Sequence, residues 1–396
     1  TGGYAEFTNL TLTAAAGTYT LTFASSGLTS VTSASVTITV TAAAVTAPTS
    51  TCVTTSATTA LSGISVGGLA SGSTYLVSVA LVNAPSGGNL QITSNTGVAA
   101  KFGYSVAINT NFTSTVFTGT LANVNAVLAT LRYVGGAANV SSTSVKVTAS
   151  LENASYYLNA FNGHFYYLNT NTLSYTTTTT GARDAAKAMS YQGQAGYVAT
   201  ITSTLENSFI SSNIASATNI WIGATDDQVE GTWKWDTNGG SPEAGKRFWT
   251  GTSTGSKYTA DGIDFAGWAS GEPNDAGGED YAVTNYSGSS GTWNDFPSAG
   301  PYQSVVEFGT NAADNGFAVG SSTYSYANMT LCSDAKLSLT TAAAGAVSGV
   351  AFTTQPVITI QDASSATVTS STATVTASIS SGGTLIGTAT ATAVSG

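Results

Sequence analysis

Histidine is almost absent from this chain: there is one in 396 residues, with two cysteines and two methionines. That single histidine, His164, has no cysteine or second histidine near it in sequence, which argues against a zinc site. It also leaves little from which to build a Ser-His-Asp or Cys-His set, so His164 is expected to be a packed strand residue. Charge is scarce too. Charged residues make up 8% of the chain, and the ten lysines and arginines stand mostly singly. A basic patch for nucleic acid or an anionic membrane surface is therefore not on offer. No apolar run approaches the roughly 18 residues of a membrane-spanning helix. With net charge −10 carried by so few ions, solubility rests on Thr, Ser, Asn and Gly. Such Thr-, Val- and Ala-rich, Lys-poor chains read as many short β-strands, and the composition suits a secreted or cell-surface bacterial protein.

The acids that do exist are not spread evenly. Of twenty Asp and Glu, five fall between 272 and 295: Glu272, Asp275, Glu279, Asp280 and Asp295. They are mixed with Asn274 and Asn294 on a loop that holds Gly277 and Gly278. Carboxylates and amide oxygens together are the ligands of a hard cation such as Ca²⁺, which takes about six to eight oxygens. The plain alternative is a solvated acidic loop.

The separated segments Trp221-Ile222-Gly223, Asp226-x-x-x-Glu230-Gly231-x-Trp233, Glu272-Pro273-Asn274, Gly278-Glu279-Asp280, Trp293-Asn294-Asp295 and Val306-Glu307-Phe308 resemble the C-type lectin-like domain in order and spacing. The resemblance covers roughly residues 160–309. It implies a principal Ca²⁺ held by Glu272, Asn274, Glu279, Asn294 and Asp295, which also bind two vicinal sugar hydroxyls. Each hydroxyl can donate to a carboxylate and accept from an Asn amide, which explains why both residue types are needed. It further implies a second Ca²⁺ at Asp226, Glu230, Asp275, Glu279 and Asp280, a cis peptide bond at Pro273, and mannose-like glycans as partners. Three features depart from the family pattern. Tyr281 and Val306 stand where members from animals carry cysteines, the loop from 274 to 279 is one residue shorter, and Asp236 to Phe265 is longer and holds Lys246, Arg247 and Lys257. Within this region, Ala182 to Met189 and a helix capped by Ser203 with Glu206 in a capping box are expected, with a strand at Tyr197 to Ile201 between them.

Around the lectin-like region the chain alternates as strands do. Tyr19 to Phe23 and Val36 to Val40 belong to a segment, residues 1–43, that resembles the C-terminal half of an Ig-like repeat. Residues 348–396, opening at Ala351 to Ile360, resemble the N-terminal half. Residues 44–150 resemble a bacterial cadherin-like repeat on the strength of Phe117 to Tyr133, where Leu121, Val124, Leu128 and Leu131 fall at helical spacing. Cys52 and Cys332 flank the lectin-like region; a disulfide tying entering and leaving strands and a pair of buried thiols both fit. The expected architecture is mainly β with one α+β domain: half a repeat (1–43), a β-sandwich (44–150), the lectin-like domain (151–309), return strands and a linker (310–347), and the other half repeat (348–396).

The function expected is Ca²⁺-dependent carbohydrate binding by an extracellular or cell-surface adhesin that is not an enzyme. A glycosidase needs two carboxylates of differing pKa about the scissile bond, and these acids are better spent as ligands. The competing class is a filament or surface-layer subunit that uses Ca²⁺ for stability alone. The two half repeats lead us to expect self-association head to tail. Ice binding by Thr-rich strands lacks a sustained ladder on one face.

Overall fold

A computed structural model describes residues 17–38, 44–48, 51–53, 58–67, 73–83, 86–135, 143–176, 180–309, 323–331, 334–362, 365, 367–368 and 371–394. The chain divides into two compact units, residues 1–42 and 43–396. In the first, Gly17–Tyr19 pairs antiparallel with Val36–Ile38, and Thr22–Phe23 with Val31–Thr32. Exposure alternates from Thr18 to Phe23 as the sequence pattern requires. The strand expected to run unbroken through Leu21 is interrupted because the Ser33 hydroxyl accepts the Leu21 N–H at 2.9 Å.

The second unit begins with two sheets. One has six strands in the order Val98–Ala100, Ser114–Thr120, Thr74–Val82, Ser144–Leu151, Thr323–Leu331 and Thr51–Val53. The other has Asn89–Gln91, Arg132–Val134 and Thr58–Ala60. One core joins them: Tyr75, Val77, Val79, Val145 and Val147 from the first sheet meet Leu90 and Tyr133 from the second. Helix α1 (Leu121–Leu128) is capped by Thr120 and buries Val124, Val127 and Leu128 in that core, while Leu121 is only partly buried. The Asn125 amide accepts from the Val66 N–H at 2.7 Å and donates to the Val66 carbonyl at 2.9 Å, fixing the helix to its neighbouring strand. Cys52 lies in register with Thr330 on the parallel pair that closes the larger sheet. Cys332 lies outside the described residues.

Strands Ser144–Leu151 and Thr323–Leu331 pair directly with each other, so everything between them is an insertion leaving from one strand and returning on the next. The insertion packs back on the sheet it left. Leu76 and Val116 share a core with Leu158, Phe165 and Trp221, which is why Thr74–Val82 is buried on both faces rather than alternating. Tyr104 adds a polar anchor: its hydroxyl donates to the Asn159 side-chain oxygen and accepts from the Ala160 N–H, both at 3.1 Å.

Within the insertion, Phe165–Leu173 and Tyr302–Phe308 pair antiparallel, bringing the two ends of the region together, and Tyr302–Phe308 meets Ile220–Thr225 in parallel at Ser304 and Trp221. Helices α2 (Ala182–Lys187) and α3 (Thr204–Asn213) flank the strand Gln194–Val198. Ser203 caps α3, accepting from the Glu206 N–H at 3.2 Å. The reciprocal half of the capping box differs from expectation. Glu206 accepts from Thr202 N–H at 2.8 Å, one residue before the cap, and its other oxygen is held by the Tyr166 hydroxyl. The pull comes from the core, where Glu206 is fully buried.

Beside Glu206 lie two more buried acids. Glu307 accepts from Thr200 N–H at 2.9 Å and pairs with His164 Nδ1 at 2.6 Å, and Glu243 accepts from the Thr200 hydroxyl at 2.8 Å. His164 is thus buried as expected, just ahead of its strand, but as the partner of a carboxylate. In the C-terminal segment, Lys336–Thr341 pairs with Val357–Gln361 and Thr374–Thr376 with Thr390–Thr392 around a small core of Ile360 and Val368. The first ladder crosses the boundary expected at 348, because Leu337 and Leu339 alternate with polar residues and extend the strand pattern upstream. Ala351 to Pro356, expected as part of a strand, makes only an isolated bridge at Thr354.

Burial and the neighbouring Glu307 push the Glu243 carboxyl up to about 7 from its ordinary 4.5. A raised acid contributes stability that is complete below the unfolded value and is lost as pH rises through the folded one. Glu243→Gln should therefore lose less stability than the parent between pH 5 and 8.5, the gap being about 2–3 kcal/mol in chemical denaturation. Equal pH dependence in the two proteins would contradict the placement of this carboxyl.

A carboxylate cluster on two strand ends and a loop

Three segments converge at one end of the lectin-like region. Strand Ile220–Thr225 runs antiparallel to Tyr281–Thr284, with Thr225 opposite Tyr281. The residues just beyond that pair, Asp226 and Asp280, are consequently neighbours, and Asp226 N–H donates to the Asp280 carbonyl at 3.2 Å. Tyr281–Thr284 also pairs with Trp293–Phe296, placing Asn294 opposite Val283 and Asp295 opposite Ala282. The loop from Glu272 to Asp280 folds over these strand ends.

Backbone donors fix that loop. Asp295 accepts from Asn274 N–H at 2.9 Å and from Asp275 N–H at 2.7 Å. Asp275 in turn accepts from Glu279 N–H at 2.9 Å, and Glu279 from Ala276 N–H at 3.1 Å. The turn passes through Gly277 and Gly278 at φ of +99° and +89°, backbone angles that side chains with a Cβ rarely adopt. The Glu272–Pro273 peptide is cis, as the resemblance implied, and the Asn274 amide donates to Glu272 Oε2.

All five residues expected around the principal ion are thereby brought together. Glu272, Glu279, Asn294 and Asp295 are buried, and Asn274 is exposed at the rim. Of the second set, Asp226, Glu230 and Asp280 present ligand oxygens all within 4.8 Å of one another, a group that could hold a metal ion. Of the two loop acids expected here, Asp275 acts on this group, raising the Glu230 and Asp280 carboxyls, whereas Glu279 lies with Glu272 and Asp295. Asp295 couples the two sets, since its charge acts on Glu272 and on Asp226.

Electrostatics and hydrogen bonding test whether a cation fits. Burial raises the carboxyls of Asp226, Glu230, Glu272, Glu279, Asp280 and Asp295, and the neighbouring acids raise each of them further. Asp226 is the extreme, pushed up to about 7. Among the described residues, the ion pairs of the chain lie elsewhere, and none takes in any of these acids. Two buried ligand oxygens, Asp226 Oδ1 and Asn294 Oδ1, have no hydrogen-bond partner, whereas buried oxygens in folded proteins nearly always do. One lies in each set. Both are oxygens of the kind that a hard cation takes as ligands.

Residues 182–305 match the family model of the Lectin C-type domain. This part of the chain is thus similar to a C-type lectin domain. Among curated proteins, halomucin of Haloquadratum walsbyi (strain DSM 16790 / HBSQ001) is 35% identical over 217 residues, which are 52% of this chain and 2% of halomucin. Lectin BRA-3 of Megabalanus rosa is 30% identical over 135 residues, 34% of this chain and 65% of that lectin. The chain thus spans less than two thirds of either relative. Among solved structures, human lithostathine is 18% identical, covering 40% of this chain and 90% of its own with a TM-score of 0.29. The C-type lectin CEL-I from Cucumaria echinata is 19% identical, covering 40% and 99%, also with a TM-score of 0.29.

The insertion from Asp236 to Phe265 folds in on itself. The Arg247 guanidinium lies 3.9 Å from the centre of the Tyr258 ring and Lys257 pairs with Asp264 at 2.5 Å, while Phe248 and Ile263 enter the tryptophan-rich core. Two acids important to this end of the domain went unnoticed in the sequence. Asp227 receives the Tyr281 hydroxyl at 3.1 Å, and Asp236 receives the Tyr175 hydroxyl at 3.2 Å. The doubled acid at 226–227 and the tyrosine at a position where cysteine is usual were the available signals.

Because Asp226 is held buried without a compensating charge, Asp226→Asn should stabilise the domain in EDTA at pH 8 by about 2 kcal/mol. The same change should remove the stabilisation that added Ca²⁺ confers. Thermal unfolding with and without the ion measures both, and a destabilised amide variant in EDTA would contradict the electrostatic picture.

Proposed function

We propose that this chain is an extracellular or cell-surface protein that binds carbohydrate through Ca²⁺ held in its C-type lectin domain. The observation that carries this reading is the pair of orphaned buried oxygens, Asp226 Oδ1 and Asn294 Oδ1, beside carboxyls that burial and neighbouring acids raise, those of Asp226 and Asp295 among them. In this reading Glu272, Asn274, Glu279, Asn294 and Asp295 hold one ion, and Asp226, Glu230, Asp275, Glu279 and Asp280 hold another. The ion supplies two coordination positions to vicinal sugar hydroxyls. The protein's own contribution is orientation: carboxylates accept from the hydroxyls and the Asn amides donate to them. Mannose-like diols are the ligand class that Glu272-Pro273-Asn274 suits by family resemblance. No enzymatic role is proposed.

An adhesive role agrees with the seat of the domain. Entering and leaving on paired neighbouring strands, and anchored by Tyr104, the lectin domain sits on the sheet from which it emerges. A second element of the proposal is self-association head to tail. The C-terminal segment exposes Leu337 and Leu339 at 59% and Ile386 at 85%. Residues 1–41 of another copy are the segment proposed to cover them, by strand addition to open edges. The alternative, a structural filament or surface-layer subunit, keeps the ions and omits the sugar.

Asn294→Ala or Asp295→Ala should abolish glycan binding on an array in Ca²⁺ while leaving the unfolding of the flanking sheets unchanged. Binding that persists in EDTA would defeat the mechanism. Calcium uptake without binding to any glycan would favour the structural alternative.

A further inference from the structure

Tyr281 occupies a position with two duties. Its backbone follows Asp280 directly, and its hydroxyl reaches 3.1 Å to Asp227 Oδ2, the residue after Asp226. One side chain therefore spans the two segments that bring Asp226 and Asp280 together.

The ring of Tyr281 is in turn stacked on that of Tyr175, 4.6 Å between centres and 30° between planes. Tyr175 is fully buried and held at three points. Its hydroxyl donates to Asp236 Oδ2 at 3.2 Å, where Arg183 Nη1 also lies at 3.5 Å. Its backbone N–H donates to the Ser298 carbonyl at 2.8 Å. Its ring meets Trp221 edge to face at 5.5 Å. The stack consequently ties three pieces of chain to one buried ion pair: the turn after Thr225, the strand after Asp280, and the turn that follows Asp295.

We propose that Tyr281 and Tyr175 are positioning residues for Ca²⁺, a noncovalent brace that holds Asp226 and Asp280 at their separation before the ion arrives. The inference rests on the cation reading given above. It goes further by assigning the affinity of the site partly to two tyrosines that touch no ion. The physical reason is preorganisation. Like charges brought together repel, so unheld loops would spread and the ion would have to gather them at its own cost. A hydroxyl fixed by ring stacking at one end and by Asp227 at the other sets the loop while adding no charge.

Calorimetric titration of the full chain with CaCl₂ tests this. Tyr281→Phe keeps the ring stack and loses the hydroxyl's hydrogen bonds to Asp227 and Thr176, so its Ca²⁺ affinity should fall by about tenfold, the usual effect of losing an outer hydrogen-bond partner of a metal site. Asp227→Ala should weaken binding at least as much, since it also removes a charge that acts on Asp280, and the double variant should bind no worse than Asp227→Ala, since both lack the same bond. The thermal unfolding of Tyr281→Phe should fall further below that of the parent in Ca²⁺ than in EDTA, whereas a merely structural role gives equal drops. Wild-type affinity in Tyr281→Phe, additive losses in the double variant, or an equal drop in stability with and without Ca²⁺ would each overturn the proposal while leaving the cation reading intact. A parent chain that takes up no Ca²⁺ would overturn both, and is told apart by the parent titration alone.

Discussion

The burial of carboxylates beside one another is the constraint on which this end of the molecule depends: Asp226, Glu272, Glu279 and Asp295 are buried, Asp280 is half-buried and Glu230 exposed. Six acids with raised pKa values come from the turn after Thr225, from the loop from 272 to 280, and from the strand at Asp295. Hydrogen bonding keeps them there at first: five backbone N–H groups, those of Gly231, Asn274, Asp275, Ala276 and Glu279, point at the carboxylates of Asp226, Asp295, Glu279 and Asp275. Such donors offset part of the cost of burial, but they add no full positive charge. The arrangement persists because the strands beneath it are fixed by tryptophan packing. Trp235, Phe248 and Trp293 are wholly buried in one core, and large aromatic side chains of this kind dominate packing energy.

The convergence of these residues was legible in the sequence because strand pairing brings residues at fixed offsets from strand ends together. Asp226 and Asp280 stand one residue beyond a paired couple, and Asn294 and Asp295 sit inside a strand whose register the neighbouring residues set. The helices were equally plain, since the Ser203 cap and the spacing of Val124 and Leu128 are local signals. What escaped was nonlocal. Glu206 has the right spacing for a capping box, yet the buried Tyr166 hydroxyl draws it away from the cap backbone. Leu21 has the right alternation for a strand, yet a serine twelve residues on takes its N–H. No spacing rule contains Tyr166 or Ser33, because tertiary neighbours decide both cases.

The placement of the lectin domain follows from the same distinction. A strand whose sequence alternates weakly, Tyr75 to Val82, reads as an ordinary member of a sheet, and its second buried face becomes visible only when the insertion folds back. Phe102 and Tyr104, in a loop between strands, have no periodicity to announce them. Their rings lie 6.3 Å from that of Phe209, and the Tyr104 hydroxyl satisfies polar groups at Asn159 and Ala160. Aromatic residues with a polar tip suit such a junction, where one end is apolar and the other must be hydrogen-bonded.

Two acidic networks in the one domain show how differently burial can be compensated. In the inner one, Glu206 and Glu307 are surrounded by donors: Thr200 and Thr202 amides, the Tyr166 hydroxyl, the Asn162 amide and His164. Those groups come from strands and a helix start that cannot move apart without breaking the sheet, so the inner acids are satisfied by the fold itself. In the outer network the acids sit on a loop, a turn and a strand, with fewer donors for each acid, and at Asp226 and Asn294 a buried oxygen is left with none. A fold that can satisfy one set of buried acids internally, yet leaves the other open on an adjustable loop, has left room there for a ligand. Arg183 is engaged with Asp184 and Asp236 instead of the cluster, and Lys257 with Asp264. Neither of these two cations pairs with the cluster, whose carboxylates face one another without a positive side chain among the described ion pairs.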